Sequence, residues 1–436
     1  MSWQLAFSIY FLLLTLMIVF GVPIAAAMGF VGLVGITLLR GTVLWPSLAD
    51  VIWNTVNSFT LTAIPMFVLM GEIILRSGAA KRFYQGLSVL LNRVPGGLAQ
   101  SNIMGAALFS AISGSSTATA LAIGTVALPE MRQRGYKDAI TLGTLTGGGA
   151  LGNLIPPSIF LLVYGTVVNE SAIDLFVATI IPGAIAVLMF MTYVTIRVYA
   201  DPTLVPPRKP RHSWSEVAIA IAQIVPVVTI MLVTIGGMYW GLVTPTEAAG
   251  LSCLLALVVA ALYREMTASD LWAALVNTVA ITCVISIIVV NGQILGFAIV
   301  QADIGRGVSR FLVESGIASY SFAFFALLFL LYLALGAALD GISMMLLTVP
   351  VLYPAFKLLG YDNIWFGVIL VIQAELAQLS PPVGLNLFAI QSIARDIDLA
   401  TISRASLPYA LMLSALCFLL YFFPQLATWL PVAIRQ

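Results

Sequence analysis

GNLIPPS at residues 152–158 and AQLSPPV at 377–383 each set a Pro-Pro pair inside a strongly apolar segment, and the two stretches lie 225 residues apart. Proline has no amide hydrogen, so it cannot serve the carbonyl four residues before it. Pro156 and Pro157 therefore release the carbonyls of Gly152 and Asn153, and Pro381 and Pro382 release those of Ala377 and Gln378. The same shift lays PEMRQRGY (129–136) on PAFKLLGY (354–361), so Pro129, Gly135, Tyr136, Pro156 and Pro157 each meet an identical residue. Upstream, VPIAAAMG (22–29) is similar to TPTEAAG (244–250), and Pro182 lands one residue from Pro408. The chain reads as two copies of one design.

Its composition names the solvent. Of 436 residues 61% are hydrophobic and 8% charged, against about 25% charged in soluble domains. Runs long enough to cross a bilayer of roughly 30 Å lie at about 4–20, 24–39, 56–75, 172–197, 217–240, 245–263, 272–299, 319–339 and 405–423. The tryptophans fall mostly at the edges of these runs, where indole rings prefer the headgroup layer. The net charge of +1 says nothing of a nucleic-acid partner, and with no basic stripe present that class is set aside. Cys253, Cys283 and Cys417 have no paired spacing and read as packing residues. His212, the lone histidine, reads as a solvated loop residue. No Lys or Arg precedes the first apolar run, so the N-terminus reads as half of a repeat and not as a signal peptide.

These features predict an all-α polytopic membrane protein made of two repeats. The first covers 1–200, with scaffold spans over about 1–75, a hairpin at 97–128, a broken helix at 138–167 and a closing span at 172–197. A polar connector at 201–216 follows. The second repeat covers 217–436, with scaffold spans over about 217–299, a hairpin at 319–355, a broken helix at 363–392 and a closing span at 405–423. If each hairpin is re-entrant, each half crosses the membrane an odd number of times and the second half is inverted. Placing the connector in the cytoplasm puts fourteen of the nineteen Lys and Arg residues on that side, leaving Arg40, Arg306, Arg310, Lys357 and Arg435 outside.

Inverted repeats around broken helices are the architecture of secondary transporters, with ion and substrate sites near the midplane. Freed main-chain groups survive at that depth only where protein, ion or substrate satisfies them. Oxygen ligands on unwound backbone suit a hard cation such as sodium. For a first cation site the candidates are Ser113, Ser115, Ser116 and Thr117 of the tip SGSST, with Gly152, Asn153, Ile155 and Pro157 of the facing break. For a second they are Gly336, Asp340 and Gly341 of GAALDGIS, with Ala377, Gln378, Ser380 and Val383. Asp340 takes the repeat position of Ser115, so the two sites are not equivalent, and it also suits an N-cap. Substrate contacts are assigned to Gly114, Ser116, Asn153, Ser158, Ser343, Gln378, Pro382, Gly384 and Asn386. Helix N-termini at Thr117 and Ile342 would favour an anion. Glu375, an intramembrane carboxylate, is a functional candidate that is protonated, paired with an arginine, or neither. Glu72 and Arg76 read as an edge pair, and Thr244 with Glu247 as a capping box.

SGSSTATALAIGTVALPEMRQRGY, GGALGNLIPPSIFLLVYG, GLVTPTEAAG and LSPPVGLNLF, in this order, resemble the large membrane subunit of tripartite ATP-independent periplasmic (TRAP) transporters. The resemblance implies an elevator-type transporter, in which hairpins and broken helices slide against a scaffold, and sodium as coupling ion with no other cofactor. It also implies a separate small membrane subunit, a periplasmic substrate-binding protein, a small organic acid as substrate, and a multi-pass location in the lipid of a bacterial inner membrane. The family often carries glycine where this chain has Ala377. The alternative is a stand-alone ion- or proton-coupled carrier of the same fold. An intramembrane enzyme lacks support, since no span holds a histidine, a metal-ligand cluster or a nucleophile beside a base.

Overall fold

The computed structural model describes residues 2–207, 213–316, 321–336, 339–381 and 384–435, so the reading of His212 lies outside the described residues. These residues form helices and no strands. In the first half they are α1 (Trp3–Val19), α2 (Ile24–Arg40), α3 (Trp45–Val56), α4 (Ala63–Arg76), α5 (Ala79–Leu90), α6 (Leu98–Ser113), α7 (Ser116–Gln133), α8 (Asp138–Gly149), α9 (Ile159–Val168) and α10 (Ala172–Ala200). In the second they are α11 (Trp214–Tyr239), α12 (Pro245–Tyr263), α13 (Ala268–Gln301), α14 (Ile304–Glu314), α15 (Ser321–Gly336), α16 (Gly341–Leu358), α17 (Asn363–Leu379), α18 (Leu385–Ile393), α19 (Leu399–Phe422) and α20 (Gln425–Arg435). Six of these helices are long and apolar enough to cross a membrane, or seven with the bent pair α3–α4.

The apolar runs become helices close to the limits read from the sequence, with one difference. The run at 56–75 is interrupted, and α3 meets the following helical segment at 48°. Four short helices, α3, α5, α14 and α20, were not distinguished as spans because they are amphipathic rather than long. In α5 one face, carrying Ala79, Ala80, Phe83, Tyr84 and Leu87, is buried, the spacing of a helix lying against a core.

The helices divide into a frame and an enclosed body. In the frame α13 runs along α2, α3 and α4, α12 packs on α4 and α11, and α11 packs on α5. Its outer faces carry exposed Leu232, Leu254 and Val279, as suits helices facing lipid. In the body every residue of α17 from Trp365 to Leu379 is buried, and so is α8 from Ile140 onward. The Thr244–Glu247 capping box is present at the start of α12, and Glu72 pairs with Arg76 at 3.1 Å.

Two hairpins enter this body. The chain reverses between α6 and α7 at Gly114, whose φ of +57° suits glycine, and Ser115. At the open end the Leu98 amide donates to the Tyr136 hydroxyl at 3.1 Å. The α15–α16 pair is closed at its open end by Phe324 on Phe356, with ring centroids 5.4 Å apart. The two open ends lie at opposite ends of α19. Arg132, at the end of α7, pairs with Asp396, just before α19 starts, whereas Phe325, at the start of α15, packs on Tyr421 near its finish. Adding 225 to the bounds of α7 gives 341–358, the bounds of α16, and adding it to the start of α8 gives the start of α17.

The breaks differ in length. Residues 150–158 are non-helical, but α17 runs to Leu379, five residues beyond the counterpart of the α8 terminus. Glycines end α8 at TGGGALG, while QAELAQL is built of good helix formers and continues to the prolines. This corrects one expectation. The Ala377 carbonyl is not left free by Pro381, because the Ser380 amide donates to it at 3.1 Å.

Candidate functional site

At the first tip the hydroxyls serve different ends. Ser115 is the N-cap of α7, accepting from the Ala118 amide at 3.5 Å. Ser113 Oγ is 2.6 Å from Thr119 Oγ1 and donates to the Ser115 carbonyl at 3.3 Å. Both hydroxyls are therefore engaged in building the tip. Ser116 points elsewhere, donating to Glu375 Oε1. The Asn153 amide donates to the same oxygen at 3.1 Å, and Asn153 Nδ2 reaches it at 2.7 Å and Ser116 Oγ at 2.8 Å.

The break presses on the tip. A methyl added at Gly152 would overlap the Ser116 backbone, and one at Gly114 would meet the Pro157 carbonyl at 3.0 Å. The Ile159 amide also donates to the Gly114 carbonyl at 3.4 Å. Ile155 donates its amide to the Leu151 carbonyl at 3.0 Å. No donor among the described residues reaches the carbonyls of Gly152 and Asn153. Ser158 departs from its expected substrate contact: it is fully buried and caps α9 through the Leu161 amide at 3.3 Å.

The second tip is closed by Asp340, whose Oδ2 accepts from the amides of Ile342 and Ser343 at 3.1 Å each. That is the N-cap alternative realised. Gly336 lies against Ala377, so closely that a second methyl would overlap it, and Gly341 lies against Ala374. Ser380 Oγ donates to the Leu376 carbonyl at 2.8 Å. Gly384, at φ +39°, begins α18. Ser343 Oγ and both side-chain polar atoms of Asn386 are buried with no hydrogen-bond partner among the described residues. The expected roles of Pro382 and Val383 lie outside the described residues.

Both tips open on one cavity of about 180 Å³, far above the roughly 10–15 Å³ that a water needs. Residues Ser113 to Ala118, Asn153, Asp340 to Ile342, Gln378 and Leu385 line its body side. Val68, Gly71, Glu72 and Leu75 of α4 and Ile281 and Ile285 of α13 line its frame side. Apart from Glu72, which reads in the sequence as an edge pair with Arg76, the α4 and α13 wall carries no signal in the sequence, because its residues sit in ordinary apolar spans. Neither Lys nor Arg is among the lining residues, and no cluster of His, Cys, Asp and Glu suited to a transition metal occurs among the described residues. The donors at the first tip are oxygen atoms: two unpaired carbonyls, the tip hydroxyls and the Glu375 carboxylate, whose Oε2 is buried without a partner. Such a set fits a hard monovalent cation. Among the described residues no arginine pairs with Glu375; its partners are Ser116 and Asn153.

A helical multi-pass protein in which two hairpin tips and a helix break close on one cavity belongs to the class of membrane transport proteins. Residues 11–426 match the family described as "Tripartite ATP-independent periplasmic transporter, DctM component". The chain belongs to this family, that of the large membrane subunit of TRAP transporters. It is 32% identical to the C4-dicarboxylate TRAP transporter large permease protein DctM of Pseudomonas aeruginosa, over 88% of this chain and 89% of that one. It is 31% identical to the ectoine/5-hydroxyectoine TRAP transporter large permease protein UehC of Ruegeria pomeroyi, over 96% and 97%. It is 30% identical to the sialic acid TRAP transporter large permease protein SiaM of Vibrio cholerae, over 94% and 95%. Among solved structures the Alcanivorax borkumensis YdaH transporter superposes with a TM-score of 0.51 over 87% of this chain and 88% of that chain, at 15% identity, which is a likeness of fold.

Proposed function

We propose that the chain is the transmembrane subunit of a sodium-coupled, binding-protein-dependent secondary transporter that imports a small organic acid across a bacterial inner membrane by an elevator motion. The observation that carries this reading is the convergence of both tips and the first break on one cavity against α4 and α13. The body, made of α6–α10 and α15–α19, is the moving part, and its two halves are inverted repeats. Support for the inversion comes from the hairpins opening at opposite ends of α19.

The first cation site uses the Gly152 and Asn153 carbonyls with Ser116 and Thr117. The second uses Asp340, Gly341 and Gln378, without the Ala377 carbonyl. The substrate carboxylate sits between the N-termini of α7 and α16, whose first free amides and helix dipoles favour negative charge. Relatives named for a C4-dicarboxylate and for sialic acid support an organic acid. The tripartite family supports a separate small membrane subunit and a periplasmic binding protein as partners.

Reconstitution tests this. With both partners in proteoliposomes, uptake of the acid should require an inward sodium gradient and the binding protein together. Uptake driven by a proton gradient alone, with no binding protein, would establish the stand-alone carrier instead.

A further inference from the structure

Among the described residues Glu375 is the one charged side chain that is buried. It belongs to α17 in the second half, yet each of its hydrogen-bond partners comes from the first half. Its Oε1 accepts from the Ser116 hydroxyl, the Asn153 amide and Asn153 Nδ2. Its Oε2 is enclosed and accepts from nothing. Three donors on one oxygen make the setting of an anion, since hydrogen bonds to charged acceptors are the stronger kind. Among the described residues no Lys, Arg or His forms an ion pair with it. A buried charge without a counter-charge is strongly unfavourable. The Gly152 and Asn153 carbonyls, which no donor among the described residues reaches, belong to the same break that brings the Asn153 amide to Glu375 Oε1.

We infer that Glu375 is the charge-bearing member of the first cation site. One oxygen positions Ser116 and Asn153, and the carboxylate charge is neutralised by the bound sodium. The two halves are thereby joined when the ion is present: an oxygen set from the first is completed by a charge from the second. This rests on the sodium-coupled reading above and adds a residue which the repeat does not reveal, because the position in the first half that corresponds to Glu375 is Ala150.

Thermal unfolding of the full chain in its purified complex tests this, with sodium chloride titrated against choline chloride at constant ionic strength. Wild-type protein should gain stability with sodium. Glu375→Gln should be at least as stable as wild type in choline, because a buried uncompensated charge is gone. Its sodium midpoint should rise by at least about tenfold. A residue that only braces Ser116 and Asn153 gives lower stability in choline when replaced, and that result overturns the inference. Should Glu375→Gln not survive purification, Glu375→Asp keeps the charge on a shorter stem. A sodium midpoint raised several-fold in that variant supports the assignment, and an unchanged one overturns it. A wild-type complex that ignores sodium would overturn both this inference and the transport reading, whereas equal sodium responses in wild type and Glu375→Gln overturn this inference alone.

Discussion

Asn102 ties four helices together. Its Oδ1 accepts from the Tyr84 hydroxyl at 2.7 Å, and its Nδ2 reaches Thr144 Oγ1 at 2.9 Å and Met131 Sδ at 3.0 Å, linking α5, α6, α7 and α8. Asn102→Leu leaves the Tyr84 hydroxyl buried without its acceptor and should cost about 1–3 kcal/mol. A lower unfolding temperature with the sodium midpoint kept is the expected result, since the link is remote from the tips. The small residues of the second tip allow a sharper test. The Ala377 methyl fits because Gly336 has none. Gly336→Ala should destabilise by about 1–3 kcal/mol through overpacking, and adding Ala377→Gly should restore most of the loss. Equal losses in the single and double variants would show that these two positions do not interact. The sequence does not pair these two positions, because they are neighbours only once α15 and α17 pack.

Between elements, Arg132 clamps the end of the first hairpin. It meets Asp138 at the start of α8 at 3.1 Å and Asp396, beyond α18, at 2.9 Å. The hydrogen bond from Arg132 holds the Asp396 carboxyl below the usual carboxylate range. An acid depressed in the folded state adds stability above its unfolded pKa, and that stability is lost as pH falls through the folded value. Amide exchange over residues 394–398, corrected for its intrinsic pH dependence, should therefore quicken at pH values below the ordinary carboxylate range. In Arg132→Gln that segment should already be loose at neutral pH and show no further step. The apolar spans and the break at 150–158 could be read in advance, because apolar length and the missing proline amide act locally. The extra turns of α17 were missed. They follow from helix formers outlasting the position where glycines stop α8, a propensity difference between two segments aligned for their shared prolines.

For the whole molecule, the placement of hairpin ends makes a prediction about sides. Asn92 and Arg134 line one shared cavity, so the first hairpin begins and ends at the same face. In a background without the native cysteines, cysteines at 90 and 132 should be labelled from one side of the membrane and a cysteine at 357 from the other. Labelling of 90 and 132 from opposite sides would remove the re-entrant hairpin. The sequence by itself determined that this is a helical, multi-pass membrane protein, and it marked the Gly152 and Asn153 carbonyls as losing their donors. Those properties depend on runs of side chains and on proline, and each is written within a few adjacent residues. Only the tertiary structure decided which of the marked oxygens remain available. Local bonds within the tip occupy Ser113 and Ser115, and the turn at the end of α17 gives the Ala377 carbonyl to Ser380, whereas packing brought Glu375 to Ser116 and Asn153 from 259 and 222 residues away. The direction in which a buried polar atom points is set by the rotation of helices distant in the chain, and no local pattern encodes that angle.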